Sequence, residues 1–445
     1  MQSSNSQKWI DYMKDEMKSM QDNDVWDLIE LPEGVKPVGC KWIFKTKTDS
    51  KGNIERYKAS LVAKGFNKKE DIGYKETFSP VSSKDSFRTI MTSVAHFNLK
   101  LHQMDVKIAF LNGDIDETIY MVQPENFVSN ESKSMVCKLK KSIYGLKQAS
   151  CQWYHKFHQV ITSYGFEANV IDDYVYHKFI GIDDILLASN DTSLLHETKR
   201  FTRKNFEMKD LGEASFVLGI HILRDRSQCI LRLSQENYIC KVLDRFGMKD
   251  SKPGDTLIAK GDKFSLKQCS NNDLERNEMQ EIPYASIVRS LMYAQVVLVP
   301  ILLLYLSDPG MQHWKAVKHV MCYLKRTKGY MLTYQKSEGL EIIGYSNSHF
   351  AGCQDSKCST FEYIYMLVGG AISWNPFNHG AEFVTCFEAS NHGIWLRNFV
   401  TSLRVVDGIE RPLKLYCDNN STILYSNNNR SSTKSNFIDI RITTM

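Results

Sequence analysis

The sequence has no apolar run long enough to cross a bilayer. Its longest, Val296 to Leu306, is interrupted by Pro300 and falls well short of the ~20 residues that a spanning helix needs. The opening residues, Met1 to Lys8, are polar and lack a signal-peptide core. A metal-binding cysteine framework is missing too. The 11 cysteines are odd in number and scattered, and Cys353 and Cys358 have no second pair or nearby histidines at zinc spacing. Free thiols in a reducing compartment are the expectation. No internal repeat occurs, and the only low-complexity tract is Ser426 to Ser432. Neither sign of charge dominates: 56 Lys and Arg stand against 51 Asp and Glu, a formal +5. That balance permits a polyanionic partner without demanding one. These absences together point to a soluble, intracellular protein with no membrane contact.

What remains is ordinary for a folded chain, 42% hydrophobic and 24% charged. A length of 445 residues exceeds one simple core, so two or three domains are expected. Trp9, Met13, Met17 and Met20 recur at helical spacing, with charged residues between them, and predict an amphipathic helix with a methionine core face. From Cys40 to Phe66 the pattern becomes a β-hairpin with Gly52-Asn53 in its turn. The stretch from Lys36 to Lys69 carries ten Lys/Arg against Asp49 and Glu55, interleaved with Trp42, Phe44 and Tyr57. On charge alone this is a solvated ribbon or a surface for a polyanion.

Farther along, helices are predicted over Thr77 to Asn98, Gln152 to Phe166, His313 to Thr327 and Ala381 to Leu403. Strands are predicted at Leu99 to Val106, Asp183 to Ser189 and Leu413 to Asn419, the last ending in an acid, with a hairpin from Ala214 to Gln235. A second strand-rich block begins near Leu340. Residues 251 to 283 are polar and poor in apolar side chains, which reads as a linker.

Acids at strand ends are the candidates for chemistry. A carboxylate at a strand exit can hold Mg²⁺ in an open site whose octahedron phosphates complete. Two such ions ~4 Å apart clamp the attacking and leaving oxygens of phosphoryl transfer. Asp105 ends one strand, and Asp183-Asp184 begin another. Each alone also fits a cap or a solvated turn. Asp172-Asp173 forms a decoy pair, because only the later pair runs into an apolar strand.

Here the sequence resembles the reverse transcriptases of Ty1/copia-type retrotransposon Pol polyproteins. "DVKIAFLNGDIDETIYMVQPENF" from Asp105 resembles their first palm motif, "SIYGLKQASCQW" from Ser142 their second, and "IDDILLASND" from Ile182 their double-aspartate motif. "GCKWIFK" and "RYKASLVAKGF" resemble their fingers, while "FEMKDLGEASFVLGIHILRDR" and "IPYASIVRSLMYAQV" resemble downstream segments. The resemblance runs from about Trp9 to Arg441. It implies an α+β right-hand polymerase, with fingers and palm over 1–250 and a thumb-connection and linker over 251–335. An RNase H-like α/β domain would follow over 336–445.

The resemblance also implies roles. Asp105, Asp183 and Asp184 would be catalytic Mg²⁺ ligands, with two ions in an active site. The backbone near Val106 would lie against the incoming deoxynucleoside triphosphate. Tyr144, Gly145 and Gln148 would contact template or nucleotide, and Lys58 and Lys64 would stand near the triphosphate. An RNA template and an RNA–DNA hybrid are the implied partners, gripped by shape and backbone rather than sequence. The implied location is cytoplasmic, in virus-like particles that allow nuclear access. Glu382, Asp418 and Asp439 match acids of the RNase H domain.

The sequence departs from the family at several points. Before Asp183, "YVYHKFIGI" is short by roughly one strand, about ten residues on a base of 5–6 per strand plus its turn. That predicts a palm strand without its partner. Ser60 and Cys151 replace arginines, and "VLVPILLLYL" replaces a stretch containing "TRPD". In the C-terminal block Asn347 occupies the first catalytic acid and His349 the second acid of that motif, and "NPFNHG" reads as a shortened approach to Glu382. No protease-like Asp-Thr/Ser-Gly site occurs. The expectation is an eroded polymerase of low or no activity with its RNase H function lost. The alternatives are a non-catalytic nucleic-acid-binding remnant and a host-recruited interaction protein.

Overall fold

A computed structural model describes residues 6–48, 54–65, 83–127, 134–146, 148–176, 179–181, 184–256, 266–270, 272–294, 305–349, 359–379, 382–403, 413–417 and 440–444. The chain mixes helices with several sheets. The first helix, α1 (Ser6–Asp22), forms where the methionine spacing predicts, with Met20 only 2% exposed. It is followed by β1 (Trp26–Glu30) and by the expected hairpin of β2 (Cys40–Thr48) and β3 (Ile54–Ala63). Strand periodicity divides the hairpin into two faces. Trp42 and Phe44 stand opposite Leu61 and Ala59 and pack towards α1, where Trp9 meets Phe44 at 5.1 Å and Tyr57 at 4.7 Å. Lys45 stands opposite Lys58 and Lys41 opposite Val62, and these three lysines are exposed.

Helix α2 (Lys84–His96) starts at Ser83, whose Oγ accepts the Ser86 N–H at 3.0 Å. Every residue from Ser86 to Ala95 is buried. Then come β4 (Lys100–Val106), β5 (Asp114–Met121), β6 (Met135–Lys141) and α3 (Ala149–Ser163). β5 and β6 join β1 in a sheet of order β1-β6-β5. The short β7 (Val175–Tyr176) and β8 (Phe179–Gly181) precede β9 (Asp184–Ser189), α4 (Thr192–Asn205) and β10 (Met208–Glu213). These strands make a central sheet of order β10-β4-β9-β8-β7. Alternation sends Leu101 and Leu186 towards α2, while Met104, Ile185 and Leu187 pack with Trp153 and Phe157 of α3 and Leu195 of α4. Helices therefore cover both faces.

This sheet corrects one sequence-based expectation. The strand beginning at Asp184 is not left without a partner. β4 pairs with it from Lys100↔Ser189 to Asp105↔Asp184, and β8 pairs with its other edge at Ile180↔Leu186 and Gly181↔Ile185. β8 is three residues long, and β7 pairs with it in turn.

The expected second hairpin is β12 (Ile220–Asp225) with β13 (Ile230–Ser234), preceded by the two-residue β11 (Phe216–Val217). After α5 (Glu236–Arg245), the linker expectation is corrected over residues 273–281. They form α6 (Asp273–Glu281), capped by Asn272, whose Oδ1 accepts the Glu275 N–H at 2.8 Å. Two acids in the first turn favour the helix dipole. Met279 is the helix's buried anchor, so its apolar content is too low to stand out in the sequence. α7 (Tyr284–Tyr293) and α8 (Met311–Thr327) share its core, and β14 (Leu332–Gln335) adds to β13. Most of the Val296 to Leu306 run lies outside the described residues, and among those described no helix is long and apolar enough to cross a membrane.

The C-terminal block contains β15 (Ile342–His349), β16 (Ser359–Leu367), β17 (Gly370–His379), α9 (Glu382–Ser402), β18 (Leu413–Cys417) and β19 (Ile440–Thr444). The sheet order is β17-β16-β15-β18-β19, with β15 to β17 an antiparallel meander and the last two strands parallel to β15. Asn375 to His379, which the sequence presents as a shortened connector, are the end of β17. Its edge position tolerates Pro376.

Candidate active site

Asp105 is the penultimate residue of β4 and is half-buried. Its register partners are Asp184 on β9 and Lys209 on β10. Asp183 lies outside the described residues, and the side chain of Asp184 is likewise not described. Register partners of this kind have Cβ atoms about 5 Å apart, and like charges so placed are unfavourable without a counterion. The fold thus opposes two carboxylate-bearing positions at one end of the sheet.

The β4–β10 pair is anchored from beneath. Lys199 of α4, 6% exposed, donates to the Asp210 carboxylate at 2.9 Å and to His102 Nδ1 at 2.8 Å. Burial and the Lys199 charge hold His102 below its ordinary value, so its ring is neutral and accepts. Burial pushes the Asp210 carboxyl up, but the bonds from Lys199 and the Gly212 N–H outweigh it and leave Asp210 below its ordinary range. This bracing fixes the strand that carries Asp105.

Past Val106, Ile108 adopts φ +50, a left-handed conformation that a β-branched residue resists. A short 3-10 turn, Ala109–Asn112, follows and sets the Phe110 ring edge-on to Tyr144 at 4.8 Å. Tyr144 lies between β6 and α3. Its carbonyl accepts the Ala63 N–H at 2.7 Å, and the Lys58 ammonium sits 5.7 Å from its ring centroid. Gly145 has φ +91, and a Cβ there would fall 2.1 Å from the Ala63 carbonyl oxygen. Only glycine allows this approach. The Lys64 N–H donates to the Gly39 carbonyl at 2.7 Å. Lys58, Lys64, Tyr144 and Gly145 are therefore brought together where the hairpin meets the loop, and Phe110 links them to the Asp105 strand.

Gln148 precedes α3 and is 9% exposed, and its Nε2 has no hydrogen-bond partner among the described residues. The decoy Asp172 has a structural place: it accepts the Ser86 hydroxyl at 2.5 Å and the Tyr174 N–H at 3.1 Å. Phe110, Ile108 and Lys209 are contributors that sequence reasoning passed over. No pattern announces a strained isoleucine or a cross-strand lysine. In the C-terminal block Asn347 lies on β15 one residue past Ser346, the register partner of Cys417, and Glu382 opens α9. Asp418 and Asp439 lie outside the described residues, as do the side chains of Asn347, His349 and Glu382.

Residues 23–260 match the family described as reverse transcriptase (RNA-dependent DNA polymerase). The chain is 40% identical to a retrovirus-related Pol polyprotein from transposon TNT 1-94 of Nicotiana tabacum, over 96% of this chain and 34% of that protein. It is 33% identical to the Pol polyprotein from transposon RE1 of Arabidopsis thaliana, over 94% of this chain and 30% of that protein. A putative transposon Ty5-1 protein of Saccharomyces cerevisiae is 27% identical over 61% of this chain and 91% of its own length. The chain belongs to the reverse transcriptase family of copia-type retrotransposon Pol polyproteins. It spans about a third of the length of the first two relatives.

Proposed function

We propose that this chain is an RNA-directed DNA polymerase module whose palm site is retained and whose RNase H-like block is non-catalytic. The observation that carries the reading is the register of Asp105 against Asp184 on a paired strand. Domain limits of 1–250 for fingers and palm, 251–335 for thumb-connection and 336–445 for the RNase H-like block accord with it. As carboxylates, Asp105, Asp183 and Asp184 would offer hard oxygen donors, which suits Mg²⁺ better than a softer ion. Two bound ions would supply charge neutralisation at the attacking and leaving oxygens.

The chain's own residues do the rest. Lys58 and Lys64 attract the triphosphate of a deoxynucleotide. The Gln148 amide, without a partner among the described residues, offers a donor to an acceptor-rich ligand. Tyr144, edge-on to Phe110 and beside the Lys58 ammonium, presents an aromatic surface. The backbone at Val106 closes the floor. Lys41 and Lys45 extend the basic face along which an RNA template or RNA–DNA hybrid tracks. The compartment proposed with it, on the family resemblance, is cytoplasmic particles with access to the nucleus.

The C-terminal sheet, three antiparallel strands followed by two parallel ones under a long helix, supports an RNase H-like reading. Asn347 replaces the carboxylate that would bridge two ions, and an amide brings no negative charge. Glu382, Asp418 and Asp439 alone do not complete the clamp. Primer extension on an RNA template with Mg²⁺ tests the polymerase reading. Synthesis lost on Asp184→Asn supports it. Binding without synthesis would leave the non-catalytic nucleic-acid-binding reading instead.

A further inference from the structure

Helix α2 is enclosed on all sides, and the C-terminal block supplies part of the enclosure. Phe87, Ile90 and Val94 of α2 share one continuous core with Leu101 and Leu186 of the central sheet and with Tyr365 of β16. A polar contact crosses the same junction. The Asp85 carboxylate accepts from Arg88 Nη1 at 3.2 Å and from the Ser373 hydroxyl of β17 at 2.8 Å. The Arg88 guanidinium lies 3.8 Å from the centroid of the Trp374 ring, also on β17. His392 of α9 reaches the Ser373 hydroxyl at 2.8 Å and Asp85 at 3.3 Å through Nε2.

Proton counting fixes the directions. Ser373 has one hydroxyl hydrogen, and it goes to Asp85. His392 Nε2 must then carry a hydrogen and donate it to Ser373 Oγ. The ring is held for this by stacking on Trp395 at 5.4 Å and 11°. Arg88 is 6% exposed and Ser373 fully buried, so both side chains are committed to the junction. Burial lowers the Arg88 guanidinium from its ordinary value, and the Asp85 charge offsets part of that cost.

We infer that the C-terminal block is a structural buttress of the central sheet, acting through α2, and that Asp85, Arg88, Ser373 and Trp374 are its positioning residues. This assigns the block a role that does not need its own acid set, in which Asn347 stands for an acid. A fold can keep a packing role after a catalytic one is gone, since packing needs shape and hydrogen bonds rather than metal ligands. The interface carries an apolar core, a stacked cation and a hydrogen-bond chain from His392 through Ser373 to Asp85, so loosening one side is transmitted to the other.

The test is amide hydrogen exchange on the full chain, comparing wild type with Trp374→Ala and Ser373→Ala. If the block is a buttress, these β17 changes speed exchange in α2 and β4 by about tenfold, because those segments lose a cooperative neighbour. Trp374→Phe, which keeps a ring under Arg88, restores most of the protection. Should Trp374→Ala unfold the chain, Ser373→Ala, which removes one hydroxyl, carries the same comparison. Faster exchange confined to β15–β19 and α9, or none anywhere, overturns the inference. The readout does not depend on synthesis, so it stands apart from the polymerase reading.

Discussion

Asp105 of β4 and Asp184 of β9 are direct partners in the antiparallel pair, with Lys209 on the far side of Asp105. Opposed like charges cost roughly 0.2–1 kcal/mol in a sheet. Removing that repulsion also removes the Lys209 pairing of similar size, so the metal-free chain with Asp105→Asn is expected to match wild type to within about 1 kcal/mol. Mg²⁺ at about 100 times its dissociation constant should raise wild-type stability by about 2.7 kcal/mol and leave Asp105→Asn unchanged. Urea denaturation with and without Mg²⁺ checks both outcomes.

The exposed face of the β2–β3 hairpin sets Lys45 against Lys58, with Lys41 on the same strand as Lys45. Each lysine that ceases to neutralise a phosphate should reduce the slope of log affinity against log salt by about 0.7–0.9. Reversing all three lysines to Glu should flatten the slope by about 2–3 on that scale. An undiminished slope in filter-binding titrations would place the nucleic acid elsewhere.

Gly145 and Gly34 both have positive φ, +91 and +77, but differ in their surroundings. Alanine at 34 meets nothing within 4 Å and should cost only the left-handed strain, about 1–2 kcal/mol. Alanine at 145 collides with the Ala63 carbonyl and should cost a further ~1–3 kcal/mol, the usual penalty of overpacking. Urea midpoints of the two variants separate sterics from backbone strain.

Much of this architecture is legible in the sequence because periodicity and spacing survive in the chain. The methionine face of α1 follows from helical spacing, the β2–β3 hairpin from its strand pattern and central turn, and the Asp184 strand from its short apolar run. The basic patch is ambiguous in sequence because charge counts do not say which face is core; the pairing of Phe44 with Ala59 decides it. Two features escape a sequence reading for physical reasons. Helix α6 has one buried residue, too few to produce a periodic signal. The strand β8 is three residues long, below the length at which a pattern can be seen. The Asp85–Ser373 contact joins residues 288 apart in sequence, and no local signal encodes it.

Lys84 donates to the Tyr293 carbonyl at 2.6 Å, and burial, then the Arg88 charge, lower it to about 8. The folded chain thus binds fewer protons here than the unfolded chain between about pH 8 and pH 10.5. Stability from this group should rise with pH across that window. Buried tyrosines such as Tyr334, pushed up by burial, act in the opposite sense at higher pH. The comparison is therefore wild type against Lys84→Met: the variant should lose the rising component in pH-dependent denaturation. Identical profiles would show that Lys84 keeps its proton.

The most direct test of the account uses one hybrid labelled on both strands, an RNA template annealed to a DNA primer, incubated with the full chain, deoxynucleotides and Mg²⁺. The proposed reading, a palm site with Asp105 opposite Asp184 and a C-terminal block in which Asn347 stands for an acid, predicts a lengthened DNA strand and an intact RNA strand. Asp184→Asn should abolish the lengthening. Cleavage of the RNA by the wild-type chain, lost on Glu382→Gln, or the absence of any DNA extension would contradict it.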